Sequence, residues 1–237
     1  MGRGIFVTAT STGIGKTVVS AAISYRLSQD HKICYYKPVQ TGGIIKEDKI
    51  YSSDCEFVSL VCGNKINVFS SYLFKYPASP HFSARLEDCT IKKQKIVEDY
   101  KSIVDKFDFV VTEGAGGLFV PLNEDGFYIY NIPKTLKIGV VLVANASLGA
   151  INFVSLNSFF LKNNKIKLAS IILLTEDSKP SQIELENREI LKKITKIDNI
   201  YLIPQFKNID TENSLVGNFY ENIKNFPDSE EIKRWFL

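Results

Sequence analysis

The sequence predicts an α/β fold of three layers, with helices on both faces of a mainly parallel central sheet. Apolar runs of strand length alternate with stretches of helical periodicity along the chain, and this alternation is typical of βαβ units. The chain has 237 residues, of which 45% are hydrophobic and 23% are charged. That is enough to bury one sizeable core, so we expect a single domain over residues 1–237.

Composition argues against several classes of protein. The net charge is only +3, and the basic cluster at 92–95 lies among acidic residues, which is typical of a solvated helix face rather than a nucleic-acid surface. The four cysteines form no Cys-x-x-Cys pair, and only two histidines accompany them. Neither a zinc site nor a disulfide framework is therefore expected.

The apolar stretch 139–161 is long enough to raise the question of a membrane span. Asn145, Asn152 and Asn157 interrupt it, so a strand, a turn and a helix are the better interpretation. Polar residues break the N-terminal apolar run early, and no signal segment is indicated. We expect a cytoplasmic protein that does not bind a membrane.

The first strand, around Ile5-Phe6-Val7, leads into Ala9-Thr10-Ser11-Thr12-Gly13-Ile14-Gly15-Lys16-Thr17, and a helix is predicted over 17–28. This order indicates a phosphate-binding loop, because backbone N–H groups and a helix N-terminus attract phosphate oxygens. Lys16 adds a full charge near the β and γ phosphates, and the Thr17 hydroxyl can hold Mg²⁺. Thr10 stands where the strict pattern has glycine. A chance Gly-Lys-Thr at a helix start is the alternative.

The second predicted strand covers 33–36 and places Lys37 at its end. Pro38 and a Thr-Gly-Gly turn follow Lys37. A lysine that ends a buried strand at the ligand edge of the sheet indicates a functional group, and the alternative is an exposed strand-end lysine. Asp54 falls in the first turn of a helical run through Leu60. It is either an acid at a helix N-terminus, which composition favours, or a carboxylate that reaches a metal.

Residues 72–85 are predicted to be irregular, and the segment 77–81 either lines a ligand pocket or merely turns the chain. A helix over 92–106 and a strand over 107–112 follow, and the strand leads into Glu113-Gly114-Ala115-Gly116-Gly117. An acid here is the expected second metal carboxylate of a phosphate site, and the glycines let backbone amides approach a ligand. The alternative is a glycine-rich turn with an incidental acid.

The rest of the chain continues the alternation. Strands are predicted over 138–144, 168–174 and 200–203, and helices after Ser147-Leu148-Gly149-Ala150 through Lys162 and over 184–194. The N-terminus of the helix that follows Ser147 could bind a carboxylate. Four candidate residues then fall at the carboxyl ends of predicted strands, where ligands gather in parallel sheets: Lys16, Lys37, Glu113 and Leu174.

Six motifs together resemble the dethiobiotin synthetase family, a member of the P-loop NTPase superfamily, in order from about residue 4 to about residue 206. They are Thr12-Gly13-Ile14-Gly15-Lys16-Thr17, Tyr36-Lys37-Pro38-Val39, Ser53-Asp54, Pro77-Ala78-Ser79-Pro80-His81, Glu113-Gly114-Ala115-Gly116-Gly117 and Leu148-Gly149-Ala150-Ile151-Asn152. Glu-Gly-Ala-Gly-Gly alone also occurs in related amidotransferase-type enzymes. Its combination with Tyr-Lys-Pro-Val and the proline loop is far more specific.

The resemblance implies a P-loop NTPase-like α/β/α fold and an ATP- and Mg²⁺-dependent cyclo-ligase of biotin synthesis. Its substrates would be 7,8-diaminopelargonate, CO₂ and ATP, and its products dethiobiotin, ADP and phosphate. The reaction would run through a carbamate and a carbamic-phosphoric anhydride. The protein would act as a homodimer with active sites at the interface, and neither nucleic acid nor a membrane is implied as a partner.

The resemblance also implies roles for individual residues. The catalytic residues would be Lys16, Lys37 and Thr12, and the Mg²⁺ ligands Thr17, Asp54 and Glu113. ATP would be bound by Gly13, Ile14, Gly15, Lys16, Thr17, Val18, Asp54, Glu113, Gly114, Ala115, Gly116, Leu174, Thr175, Pro204, Gln205 and Phe206. The other substrates would be bound by Thr12, Lys37, Thr41, Ser79, Gly116, Leu148, Gly149, Ala150, Ile151 and Asn152, the last five across the dimer interface.

The chain departs from the family pattern at three positions. Gly13 stands where relatives can carry an acid, and Ser147 where a lysine can precede Leu-Gly. Leu174 replaces the asparagine expected to read adenine, which leaves Thr175 and the backbone of 204–206 to contact the base.

Two other kinds of protein are alternatives. A nucleotide-switch partition ATPase shares the phosphate loop, but its signature is a second lysine at the start of that loop, where this chain has Ser11. A cobyrinate-type amidotransferase would need a glutaminase domain, which requires far more chain than follows Pro204.

Overall fold

The computed structural model describes residues 3–236 and contains a central parallel sheet with helices on both sides. In chain order the strands are β1 (Arg3–Ala9), β2 (Ile33–Gln40), β3 (Ile44–Lys46), β4 (Lys49–Tyr51), β5 (Asn67–Leu73), β6 (Phe109–Glu113), β7 (Gly139–Asn145), β8 (Leu168–Thr175), β9 (Ile200–Pro204), β10 (Ile209–Asp210) and β11 (Leu215–Val216). The helices are α1 (Lys16–Ser28), α2 (Ser53–Val61), α3 (Pro80–Leu86), α4 (Lys93–Val104), α5 (Asn131–Leu136), α6 (Ala150–Asn163), α7 (Gln182–Thr195), α8 (Phe219–Asn222) and α9 (Ser229–Lys233). Short 3-10 helices cover Ile223–Asn225 and Arg234–Phe236.

The central sheet has seven strands in the order β5-β2-β6-β1-β7-β8-β9, and every pair is parallel. β1 is the central strand. The strands β2, β5 and β6 lie on one side of it, and β7, β8 and β9 lie on the other side. A crevice forms outside the carboxyl ends of the strands at such a switch point. The phosphate-type loop after β1 therefore opens into the ligand edge of the sheet, as the sequence predicts.

Two apolar clusters, one on each face of the sheet, make up the core. Ile5 and Val7 of β1 belong to the cluster that includes α1, α2 and the C-terminal helices, whereas Phe6 belongs to the cluster that includes α4, α6 and α7. Successive side chains of a strand point to opposite faces, so one apolar run supplies both layers. The predicted three-layer α/β fold with a parallel sheet is confirmed.

The prediction that residues 72–85 are irregular is wrong. β5 runs to Leu73 and forms one edge of the sheet, and α3 begins at Pro80. β5 is half exposed along its whole length, so it lacks the apolar run that marks the buried strands. Proline is well tolerated in the first turn of a helix, and here Ser79 precedes it in an extended conformation.

The predicted end of the second strand is also wrong, because β2 continues through Lys37 to Gln40. Pairing with β6 stops at Tyr36, whereas pairing with β5 resumes at Val39. Pro38, which has no N–H to donate, therefore sits beyond the part of β2 that is enclosed on both sides. Lys37 is fixed inside a strand rather than at its end.

The chain after β9 packs back against α1. Arg26 of α1 donates to the carbonyl oxygens of Ile223 at 2.6 Å and Phe226 at 3.1 Å, and Phe219 and Trp235 are buried in the core. The hairpin of β10 and β11 precedes these helices. The C-terminal helices are thereby fixed to the last turn of α1, whereas the hairpin before them lies at the ligand edge, where Ile209, Thr211 and Glu212 line a cavity.

The apolar stretch 139–161 folds as the sequence predicts, into β7, a turn and the first part of α6. Within residues 3–236, none of the helices combines the length and the apolar character that a membrane crossing requires.

Candidate functional site

The loop between β1 and α1 forms a cradle with positive electrostatic potential. Gly13 has φ 75° and Gly15 has φ 109°, a region that glycine adopts without strain. Gly15 caps α1 without a side-chain acceptor, and the first turn of α1 carries no acidic residue. The first N–H groups of a helix have no partner within it. They are therefore directed at whatever anion occupies the mouth of the loop.

Three charged side chains meet next to this cradle. Lys37 Nζ lies 2.6 Å from Asp54 Oδ2 and 2.7 Å from Glu113 Oε1. Glu113 Oε1 also accepts a hydrogen bond from Thr17 Oγ1 at 3.0 Å. All three charged residues are buried, and Glu113 is 0% exposed. One cation thus compensates two buried carboxylates beside the first turn of α1.

Strand register brings these groups together. β2 and β6 are neighbours, with Tyr36 opposite Thr112, so Lys37 and Glu113 lie at adjacent positions across the two strands and reach the same face. Asp54 comes from the first turn of α2. Its helix is started by Ser52, whose hydroxyl accepts from the Cys55 N–H at 3.1 Å and donates to Gln40 Oε1 at 2.8 Å. This N-cap links α2 to the end of β2.

The surroundings shift the pKa values of Lys37 and Lys16 in opposite directions. Burial opposes the charged form of Lys37, but Asp54 and Glu113 outweigh that effect and raise the pKa of its ammonium above the ordinary value. Stability from a cation with a raised pKa is present at neutral pH and is lost only as the pH rises through that value. The pKa of Lys16 is lowered, chiefly by burial, with the Glu113 charge acting in the opposite sense. Lys16 Nζ donates to the Ser11 carbonyl at 3.2 Å.

A cavity of about 530 Å³, the main cavity of the site, connects the cradle and the charged cluster. Sixteen of the predicted site residues line it: Thr12, Gly13, Ile14, Gly15, Lys16, Thr17, Val18, Lys37, Thr41, Asp54, Glu113, Ala115, Gly116, Leu174, Gln205 and Phe206. The structure therefore brings together, around one cavity, predicted site residues from six separate segments of the sequence.

Other predicted site residues lie outside this cavity. The Gly114 carbonyl accepts from Lys37 Nζ at 3.4 Å without lining the cavity. Thr175 donates its hydroxyl to the Asp177 carbonyl at 2.7 Å, and the Pro204 carbonyl accepts from the Asn222 side chain. Ser79 precedes α3, next to the turn in which Gly42 approaches Pro77. These four residues and the segment 148–152 do not line the main cavity of a single chain.

The segment at the start of α6 borders a second cavity of about 220 Å³. Leu148 and Ala150 form one side of it, and Ser11 and Ile14 of the loop form the other. Gly149 caps α6 with φ 95° and no side-chain acceptor, and the first turn of this 14-residue helix carries no acid. Its N-terminus is thus open to an anion next to the phosphate cradle.

Five further residues line the main cavity without belonging to any of the predicted site residues: Val39, Gln40, Ile209, Thr211 and Glu212. Val39 and Gln40 belong to the unpredicted end of β2. The other three belong to the β10–β11 hairpin, whose two-residue strands are too short to show periodicity. Glycine, proline and asparagine near this hairpin are a turn signal, but a turn signal does not specify which wall of a cavity the turn forms.

The oxygens of Thr17, Asp54 and Glu113 form a donor set that suits Mg²⁺. This ion prefers oxygen ligands and is commonly held by one or two carboxylates together with substrate phosphates. Residues 3–236 contain no cluster of three or more His, Cys, Asp or Glu side chains suited to a metal. Two carboxylates and a hydroxyl beside a phosphate cradle fit an ion that arrives with a nucleotide.

Comparison with known sequences identifies the family. A family profile described as an AAA domain matches residues 3–213. The ATP-dependent dethiobiotin synthetase BioD of Clostridium perfringens is 34% identical over 215 residues, which cover 89% of this chain and 94% of that relative. The chain belongs to the ATP-dependent dethiobiotin synthetase family. The corresponding proteins of Clostridium botulinum (strain Alaska E43) and Anoxybacillus flavithermus are 36% and 34% identical and are covered over 100% and 93% of their lengths. The chain is accordingly an enzyme of the ligase class.

Solved structures agree on the fold of this dethiobiotin synthetase family member. A ParA family ATPase from Chlorobium tepidum superposes with a TM-score of 0.59 at 14% identity, over 99% of this chain and 96% of that one. The MinD cell division protein of Aquifex aeolicus gives 0.58 at 16% identity, over 98% and 94%. At such low identity these likenesses show the P-loop ATPase fold alone.

The buried ion pairs predict a measurable coupling. Lys37→Met should lower the free energy of unfolding by about 3 kcal/mol at pH 7, because removing one partner leaves buried charge uncompensated. In the double variant with Glu113→Gln, the loss should be smaller than the sum of the two single losses. Urea unfolding of the four proteins measures this.

Lys46→Met is the matched control, because Lys46 makes an ion pair with Glu56 at 2.7 Å but is half exposed. Its loss should stay below about 1 kcal/mol. Additive losses at Lys37 and Glu113 would contradict the assignment of a stabilising buried pair.

Proposed function

We propose that the chain is a dethiobiotin synthetase, which uses ATP, Mg²⁺ and CO₂ to close the ureido ring of dethiobiotin on 7,8-diaminopelargonate in the cytoplasm. The observation that carries the proposal is the position of Lys37. In a chain of this family, a buried lysine bridges two carboxylates directly beside a phosphate cradle. A cation placed there can balance charge that develops on a transferring phosphoryl group.

The reaction has three steps. One amine of the diamine attacks CO₂, so that an N–C bond forms and a proton leaves as the carbamate is made. A carbamate oxygen then attacks the γ-phosphorus, and ADP departs as the leaving group. The second amine attacks the carbonyl carbon of the resulting anhydride and expels phosphate, which closes the ring.

Positioning and charge neutralisation supply the catalysis in this scheme, since no protein nucleophile is required. The N–H groups at the start of α1 and Lys16 hold the β and γ phosphates, and Lys37 faces the transferring group. Thr12, whose hydroxyl approaches Gly116 across the cavity, and Thr41 orient the carbamate. Mg²⁺ held by Thr17, Asp54, Glu113 and phosphate oxygens would supply further neutralisation of the triphosphate.

The exposed apolar face of α6 supports a homodimer. Phe153, Leu156 and Phe159 follow one another at helical spacing in α6 and are all more than half exposed, and Leu148, just before the helix, is 94% exposed. Contiguous exposed apolar surface of this kind marks interaction sites. We therefore assign this face to the contact between two copies, with the open N-terminus of α6 offered to the distal carboxylate of the partner's diamine and Ser79 at the rim of the substrate site.

A single assay tests the proposed function. The purified protein is incubated with ATP, Mg²⁺, bicarbonate and 7,8-diaminopelargonate, and dethiobiotin is detected by mass spectrometry. ADP release should require the diamine and CO₂ together, because the phosphoryl acceptor is built from them. Steady ATP hydrolysis that ignores the diamine but responds to DNA or membranes would instead identify a nucleotide switch.

The two site lysines should be separable by their effects on turnover and on binding. Lys16→Ala and Lys37→Ala should each lower kcat by about 100-fold or more, the scale of deleting a transition-state donor. Only Lys16→Ala should also weaken ADP binding in a calorimetric titration, because the role of Lys37 lies at the γ-phosphoryl group. Lys46→Ala serves as the control, because Lys46 is half exposed and does not line the cavity. Normal turnover in Lys37→Ala would remove that residue from the mechanism.

The dimer model predicts a specific defect in Asn152→Ala. The KM for the diamine should rise while the KM for ATP stays unchanged, because residue 152 lies at the helix start assigned to the partner's substrate. Steady-state kinetics measure both constants, and analytical ultracentrifugation at the assay concentration gives the oligomeric state. A strictly monomeric protein with full activity would overturn this part of the proposal.

Base selection should be weak because a leucine stands where the family pattern has the asparagine expected to read adenine. Leu174 and Phe206 line the main cavity, Leu174 Cδ1 lies 3.0 Å from where a Cβ on Gly15 would stand, and the Thr175 hydroxyl is already bonded. Leucine can neither donate to adenine nor accept from it. GTP or CTP should support ring closure with kcat/KM within about tenfold of ATP, the worth of one lost hydrogen bond.

Competition assays with the three nucleotides measure this selectivity. A preference for ATP above about 1000-fold would show that other groups at this end of the cavity, such as Gln205 or Thr211, read adenine fully.

A further inference from the structure

Tyr35 makes a contact with the site that the proposed mechanism does not use. It lies in β2 two residues before Lys37, and it is 0% exposed. Its hydroxyl donates to Glu113 Oε2 at 2.8 Å. Because residues two apart in a strand share a face, Tyr35 and Lys37 both approach the carboxylate of Glu113 from β2.

The two oxygens of Glu113 are divided between different partners. Oε1 accepts from Thr17 and contacts Lys37, both of which line the main cavity. Oε2 accepts from Tyr35, which does not line it. In the described part of the chain, Tyr35 is the side chain that bonds Oε2, and full burial excludes bulk water as a substitute. The tyrosine therefore determines which oxygen turns toward the cavity.

A tyrosine is chemically suited to this task. A phenol hydroxyl is protonated at neutral pH, so it can donate to the carboxylate. It is also uncharged. It can therefore fix one oxygen of a carboxylate without neutralising the negative charge that a cation at the other oxygen needs, whereas a second lysine would neutralise it.

From this geometry we infer that Tyr35 is a positioning residue for Mg²⁺: by holding Oε2 of Glu113, it presents Oε1 to the ion that accompanies the nucleotide. The inference rests on the proposed role of Glu113 as a metal ligand. Hydrogen bonds to the outer oxygen of a ligating carboxylate fix its orientation, and their removal commonly weakens metal binding by about 10- to 100-fold.

The neighbouring residue in the same strand provides a matched control. Tyr36 is also 0% exposed, but it points to the opposite face, where its hydroxyl lies 2.5 Å from Ser71 Oγ and 3.3 Å from the Ile96 carbonyl. Tyr35→Phe and Tyr36→Phe each delete one hydroxyl from a buried ring of β2. Both should lower the melting temperature modestly, and only the first removes a bond to the site.

The test measures metal affinity rather than turnover. Mn²⁺ replaces Mg²⁺, and its binding to the protein–ADP complex is followed by electron paramagnetic resonance. Tyr35→Phe should weaken Mn²⁺ by about 10-fold or more, while ADP binding in the presence of EDTA stays unchanged. Tyr36→Phe should leave both affinities unchanged. Equal Mn²⁺ affinity in Tyr35→Phe and the parent protein, or an equal loss in both variants, would overturn the inference.

A double-variant measurement separates the route through Glu113 from a general effect of the substitution on the fold. In a Glu113→Gln background the outer-oxygen contact no longer positions a metal ligand, so adding Tyr35→Phe should not weaken Mn²⁺ further. A further loss would show that Tyr35 acts by another route. Since neither titration needs the diamine, the parent protein can fail to make dethiobiotin while Tyr35 still controls Mn²⁺ affinity.

Discussion

The contact of Lys37 with Asp54 and Glu113 is the interaction on which the arrangement of the site depends. Two buried carboxylates close to each other require a cation, and the cation must come from an element that reaches both. β2 provides it because it lies beside β6, which ends at Glu113. Gln40, at the end of β2, accepts a hydrogen bond from Ser52, the N-cap of α2, and Asp54 is the second residue of that helix. The attraction between these charges thereby fixes β2, β6 and α2 relative to one another.

The charged cluster of Lys37, Asp54 and Glu113 also connects the buried sheet to the phosphate cradle. Tyr35 and Thr17 bond the two oxygens of Glu113 from opposite sides, one from inside the sheet and one from the first turn of α1. A carboxylate held in this way has little rotational freedom. The Glu113 side chain therefore fixes the position of the phosphate cradle relative to the sheet, in addition to the packing of α1 on the sheet.

Much of this was predictable from the sequence, for local reasons. A glycine-rich turn before Gly-Lys-Thr and an acid after a buried strand are short patterns, and the parallel alternation of strands and helices places them at one edge. The predicted strand stops short of the end of β2, which continues past Pro38 because the missing N–H of the proline falls where pairing with β6 has already ended. β5 was missed because an edge strand exposed on one side carries no continuous apolar run. Tyr35 looked like an ordinary core residue, since a sequence does not reveal where a buried hydroxyl finds its acceptor.

The hairpin of β10 and β11 couples nucleotide binding to the docking of a segment outside the central sheet. It follows all seven strands of the sheet in the sequence, yet Ile209, Thr211 and Glu212 form part of the cavity wall. A nucleotide that contacts this wall binds the chain with the hairpin docked more tightly than a chain in which the hairpin has opened. Bound nucleotide should therefore stabilise the docked hairpin by mass action.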